Sequence, residues 1–230
     1  MPHQLTQLLN QYKDQFADPV PFDRSKDQVL LLDFTATNLQ LTAEILLDTA
    51  KFSQYVSSEL TVHQARYGWG GYMEHRTVYS RSKVFDPVDG SEPRRLHLGI
   101  DIWGEVGTPV YSFMDGTIES IADNNRFGDY GATIIVAHQL EERSFYALYG
   151  HLSAADLTRF KKGDKISKGD LLAHFGPPAE NGHWPPHLHL QLMLDLQGWV
   201  GDYPGVCELS KREQYAANCP DPVYLLPWKK

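Results

Sequence analysis

Residues 187–197 read HLHLQLMLDLQ. His187, His189, Gln191, Met193 and Asp195 alternate with Leu188, Leu190, Leu192, Leu194 and Leu196. Successive side chains of a strand point to opposite faces, so a strict period of two predicts a half-buried strand laying five leucines into a core. The same alternation aims two imidazoles, two residues apart, at the other face. Imidazoles at that spacing can converge on one small target, and a transition metal is the usual one.

Upstream lies a second half-site, LHLGID, in which His97 and Asp101 are four apart. Imidazole and carboxylate are both good zinc ligands. Three protein ligands with one open position make a catalytic site, whereas a structural site is closed by four, usually with cysteine among them. The chain has two cysteines, Cys207 and Cys219, and no C-x-x-C pair. A cysteine-rich structural site is thereby excluded. A third element, YGHLS, places His151 after the apolar stretch FYALYG. Six of the ten histidines fall between positions 138 and 189, which marks this half of the chain as the place to look for chemistry. His3, His63 and His75 are assigned to the surface, and His138, His174 and His183 lack a partner pattern.

Turn chemistry agrees with a β-rich reading. Asp115-Gly116, Lys162-Gly163-Asp164 and Lys168-Gly169-Asp170 punctuate short runs such as TPVYSF, GTIESIA, ATIIVAH and SFYALYG. Asp-Gly and Gly-Asp pairs between such runs are hairpin and tight-turn signals. No long 3.6-residue period appears between 97 and 200, so that half should be mainly antiparallel sheet.

The segments HLGID, GTPVYSFMDGTI, YGATIIVAH, FYALYGHLS, KKGDKISKGDLLAHFG and PPHLHLQL resemble, in this order, the lysostaphin-type zinc metallopeptidases of metallopeptidase family twenty-three. The resemblance covers positions 94–197. It implies a mainly β fold, an antiparallel β-sandwich of the duplicated hybrid motif type. It further implies that His97, Asp101 and His189 bind zinc, one ion per chain, and that His151 and His187 are unligated catalytic histidines. A closer resemblance, in RRLHLGIDIW, DYGATIIVAH and FYALYGHLS together with NGHWPPHLHLQL and the tail from Gly201, is to a subgroup found fused between kinase-like and class III aminotransferase domains.

Composition bounds the rest. A chain of 230 residues with 42% hydrophobic and 22% charged residues can bury an ordinary globular core. A net charge of −8 disfavours nucleic acid, and equally an anionic membrane or wall polymer held by charge alone. No stretch has the ~18 apolar residues of a membrane span. MPHQLTQLLNQYKDQF lacks the basic and apolar regions of a signal peptide, which predicts a cytoplasmic location.

Three regions are expected: an α-rich N-terminal extension over 1–88, a zinc metallopeptidase-like β domain over 89–200, and an irregular tail over 201–230 packed on the core. Leu5, Leu8, Leu9, Tyr12 and Phe16 have helical spacing, ended by Pro19 and Pro21. VLLLDF reads as a buried strand. Thr37 or Asn38 should cap one helix running through LTAEILLDTAKFSQYVSSEL. In the bridge YGWGGYMEHRTVYSRSKVF, Tyr67, Trp69, Tyr72 and Arg76 could line a substrate groove, with simple aromatic packing the favoured alternative, and Tyr72 and Arg76 are the groove candidates of this stretch. Arg95 is a candidate partner for a substrate carboxylate.

The expected function is zinc-dependent hydrolysis of amide bonds in peptides or peptidoglycan stems. Alternatives are hydrolysis of a small cytosolic amide metabolite, and a non-catalytic zinc-stabilised binding domain. The second is disfavoured because His151 and His187 would then have no reason to occur together. An open groove suits a polymer and a closed pocket a small substrate.

Overall fold

The computed structural model describes the backbone of residues 2–229 and the side chains of residues 4–229, so the surface assignment of His3 lies outside the described residues. Twelve strands are described: β1 (Val29–Leu31), β2 (Tyr67–Gly70), β3 (Leu96–His97), β4 (Ile100–Trp103), β5 (Pro109–Tyr111), β6 (Gly116–Asn124), β7 (Gly131–Leu140), β8 (Arg143–Leu152), β9 (Lys165–Ile166), β10 (Leu171–His174), β11 (His187–Met193) and β12 (Val206–Cys207). The α-helices are α1 (Pro2–Tyr12), α2 (Ala43–Leu47), α3 (Thr49–Val62) and α4 (Arg212–Ala216).

Eight strands form one sheet in the order β1-β2-β4-β11-β8-β7-β6-β9. Only β1 and β2 pair in parallel; every other neighbour is antiparallel. Two small sheets, β10-β5 and β12-β3, cover its faces. The expected mainly β, antiparallel architecture is therefore present, and two strands of the N-terminal segment extend its large sheet.

The alternation of β11 sorts its residues as expected. Leu188, Leu190 and Leu192 join Ile100, Ile102, Val110, Ile134, Val136 and Tyr149 in the main core. Each leucine fully buried this way contributes about 1.5–3 kcal/mol. Ile135, Leu148 and Met193 face the other way, into a second cluster with Leu96, Tyr203, Cys207 and Cys219. All seven residues of β11 are buried, so the strand is covered on both faces rather than half-buried. The strand also stops short of the expected five leucines. It ends at Met193, the chain turns through Gln197 (φ 54°) and Gly198, and Leu196 joins the second cluster instead of the first.

The expected long helix after Thr37 is two helices that begin later. Thr42 caps α2 through Ile45 N, and the Asp48 carboxylate accepts from Ala50 N (2.9 Å) and Lys51 N (3.1 Å) to start α3. A capping side chain at Asp48 holds extended backbone there and ends the first helix. Cys207 and Cys219 are buried free thiols, and burial pushes both up to about 12.

Candidate metal centre and the cavity above it

Sheet register assembles the site. His189 of β11 stands opposite Asp101 of β4 on one side and Gly150 of β8 on the other, and His187 stands opposite Trp103. His97 lies on β3, which pairs with β12 through Val206. Gly99 makes the approach of these elements possible: a Cβ there would stand 2.7 Å from the Leu190 carbonyl oxygen and 2.8 Å from the His189 ring.

The three residues converge. His189 Nδ1 lies 2.9 Å from Asp101 Oδ1, His97 Nε2 lies 3.3 Å from the same oxygen, and the two imidazole nitrogens are 3.0 Å apart. One ligand atom from each falls within 4.8 Å of the others, and all three residues are buried. Two neutral imidazoles and one carboxylate are a donor set that zinc accepts. The remaining ring nitrogens fix which lone pairs face inward. His97 Nδ1 lies 3.0 Å from the Gly71 carbonyl and donates to it, leaving Nε2 as a ligand. His189 Nε2 lies 2.9 Å from Gln191 Oε1 and donates to it, leaving Nδ1. Gln191 is oriented in turn, its amide donating to Pro204 O at 3.1 Å and to Cys219 Sγ at 3.6 Å. Carbonyl and amide oxygens in this position orient metal-binding imidazoles.

The second carboxylate oxygen of Asp101 pairs with Arg76, whose Nε bonds Glu74 Oε2 at 2.6 Å. Arg76 is 2% exposed and lies over the Phe34 and Trp103 rings, each 5.5 Å away. Gly70, opposite Asp101 on β2, leaves room for it, since a Cβ there would come within 3.0 Å of Arg76 Nη2. Burial alone would raise the Asp101 carboxyl, but His97, Arg76 and the His189 hydrogen bond hold it well below its ordinary value. Burial lowers His97 to about 4, with the Arg76 charge adding to the effect.

His151 and His187 face each other with ring centroids 4.0 Å apart. His187 Nε2 is 3.9 Å from Asp101 Oδ1. Its Nδ1 donates to Pro185 O (2.7 Å), and its ring stacks on Trp103 at 5.5 Å. His151 Nδ1 donates to Asn181 O at 2.8 Å. Both rings thereby keep a basic Nε2. Burial lowers His187 to about 4, and burial plus the neighbouring His187 pushes His151 well below its usual range. His151 sits at φ 62°, a left-handed conformation unusual for a non-glycine residue. Backbone bonds from His151 N to Tyr130 O (2.8 Å) and from Gly176 N to His151 O (2.9 Å) hold it there. Strain so over-determined clusters at functional sites.

Above these residues is a cavity of about 320 Å³. Asp101, His151, His187 and His189 line it, and so does Arg76. The other two groove candidates stand elsewhere: the Tyr72 hydroxyl donates to Cys219 O at 2.6 Å, and Arg95 pairs with Asp86. Arg76 itself is occupied by Asp101 and Glu74 rather than presented along an open groove. Gln191, Asn181 and Tyr130 escaped the sequence reading. For Gln191 a signal was present, because it follows His187 and His189 on the same face of the strand.

The chain is similar to known proteins over the segment that carries His97, Asp101, His151, His187 and His189. Residues 95–199 match the sequence profile of Peptidase family M23. The chain is 30% identical over 125 residues to an L-Ala--D-Glu endopeptidase of Bacillus subtilis, covering 52% of this chain and 36% of that protein. It is 30% identical over 112 residues to the peptidoglycan DD-endopeptidase ShyA of Vibrio cholerae, covering 45% of this chain and 24% of that protein. The chain thus spans about a third or less of the length of these curated relatives. The catalytic domain of lysostaphin from Staphylococcus simulans superposes with a TM-score of 0.40 at 19% identity, covering 71% of this chain and 96% of that one. Residues 95–199 of this chain, a little under half of its length, are similar to Peptidase family M23.

Proposed function

We propose that the protein is a zinc-dependent peptidase that hydrolyses amide bonds of peptides, holding one zinc ion per chain through His97 Nε2, Asp101 Oδ1 and His189 Nδ1. The observation that carries this reading is the convergence of those three atoms beside a cavity lined by Asp101, His189, His151 and His187. When bound, zinc supplies Lewis acidity and an activated water near neutral pH. His151 and His187, each with a basic Nε2 toward the cavity side of its backbone-bonded ring, share the proton work: one accepts the proton of the attacking water and the pair returns it to the leaving amine. Burial keeps both imidazoles neutral at physiological pH, so each offers an unprotonated Nε2. Arg76 holds Asp101 ionised and fixes its orientation.

The relatives' names favour peptidoglycan peptides as substrates. A second reading, a small amide substrate, is favoured by the aromatic lining of the cavity and by the likeness to the subgroup between kinase-like and aminotransferase domains. Release of new amino groups by zinc-loaded protein, from purified peptidoglycan and from short peptides, with His187→Ala beside it, tests the first reading. Release from peptides or peptidoglycan that disappears in the variant is expected. Absence of release from every peptide substrate by zinc-replete protein would overturn it.

A further inference from the structure

The cavity over the metal centre is walled by Phe34, Phe52, Tyr79, Phe85, Trp103 and Trp184. Four of these six come from residues 34–85, outside the segment shared with Peptidase family M23. They pack as one cluster, with Phe34 and Trp103 at 4.7 Å and Tyr79 and Phe85 at 4.8 Å between ring centroids. Its volume of about 320 Å³ is roughly twice that of a cavity that accommodates one benzene molecule. That is space beside the metal centre for one bulky side chain and an adjoining peptide unit.

The rim adds charge of both signs. Arg94, Arg126, Asp129 and Asp202 line the same cavity. Asp129 and Asp202 each commit one carboxylate oxygen to a backbone N–H, that of Tyr130 at 2.8 Å and that of Tyr203 at 2.7 Å. Burial raises both carboxyls above their ordinary values. Among the described residues no direct ion pair joins Arg94 or Arg126 to either aspartate, and the two guanidinium charges offset the carboxylates only at a distance. A half-buried, incompletely paired carboxylate gains most from a cationic ligand.

We infer that the cavity is an open-mouthed chamber for a short, free peptide, with a bulky apolar side chain against the aromatic wall and unblocked charged termini at the rim. This deepens the peptidase reading and rests on it. The N-terminal segment then acts as a specificity element, supplying Phe34, Phe52, Tyr79 and Phe85 to the wall against which that side chain packs.

Calorimetric titration of the full-length, zinc-loaded His187→Ala protein tests the inference by binding rather than turnover. The ligands are Leu-Phe, its N-acetylated amide, Gly-Gly and a soluble glycan-linked stem peptide. Leu-Phe should bind at least tenfold more tightly than the other three. Asp202→Asn should weaken Leu-Phe at least fivefold and leave the blocked peptide unchanged. Equal binding of free and blocked peptides, equal binding of Gly-Gly, or tighter binding of the glycan-linked peptide would overturn the chamber. Selective Leu-Phe binding without any hydrolysis by the zinc-loaded wild type would overturn the peptidase reading and leave the chamber standing.

Discussion

His189 Nε2 and Gln191 Oε1 lie 2.9 Å apart, two residues along the same face of β11. This bond decides which nitrogen of His189 turns toward Asp101 and His97. Without an acceptor at that position, the imidazole is free to place its proton on Nδ1 and cease to be a ligand. Gln191→Leu should therefore weaken zinc binding by roughly 10–100-fold, the usual cost of losing such an orienting partner. Gln191→Glu, which keeps an acceptor, should retain most of the affinity. Competition with a chromophoric chelator reads both.

Arg76 links Asp101 to Glu74 in a setting almost closed to water. Removing one member of a buried ionic network leaves its partners uncompensated, typically at about 3–5 kcal/mol. Arg76→Met should lower the stability of the zinc-free protein by that order in urea unfolding. An unchanged midpoint would show that the three charges are not energetically coupled.

The two histidines of the H-x-H pair should separate by phenotype. His187→Ala and His151→Ala should each retain zinc, measured by elemental analysis, while losing about 10²–10⁴-fold in turnover. His189→Ala should lose the metal. Loss of zinc from His187→Ala would exchange the two assignments.

His138 provides a pH prediction remote from the metal ligands. It packs between Phe113 and Phe145, its Nδ1 bonds Asp115 O at 2.9 Å, and its Nε2 has no partner. Burial pushes it down to about 4, although the Asp115 carbonyl opposes the shift. An unfolded histidine titrates near 6.5. As pH falls through 6.5, the unfolded chain binds this proton first. Stability is thus complete above 6.5 and drains away down to about 4, with about 2 kcal/mol lost between pH 7 and pH 5. His138→Phe should lose correspondingly less over that interval. The difference between the two chains cancels the contribution of the site histidines.

The period of two in residues 187–193 carried the strand, its core face and the direction of its imidazoles, because alternation is a property of the backbone itself. What lay beyond it was non-local. Nothing in HLHLQLM says that residues 203–219 cover its polar face, so the strand reads as half-buried. Arg76 stands out among aromatic residues as a groove candidate, yet its partner Asp101 is 25 positions away and is reached only through the pairing of β2 with β4. Asp48 lies within an apolar helical pattern, and its capping geometry, not its hydropathy, divides α2 from α3. The placement of Tyr130 and Asn181 beside His151 likewise arises from loop packing that has no periodic signature.

The pairing of β2 with β4 has a practical consequence for dissecting the protein. Gly68, Trp69 and Gly70 satisfy one backbone edge of the strand that bears Asp101. A fragment beginning near residue 89 would contain every proposed zinc ligand and both proposed catalytic histidines, but it would bare that edge beside the aromatic face of Trp103. Exposed edges of this kind recruit other chains. Such a fragment should self-associate, and its inactivity in an assay would report a missing strand rather than missing chemistry.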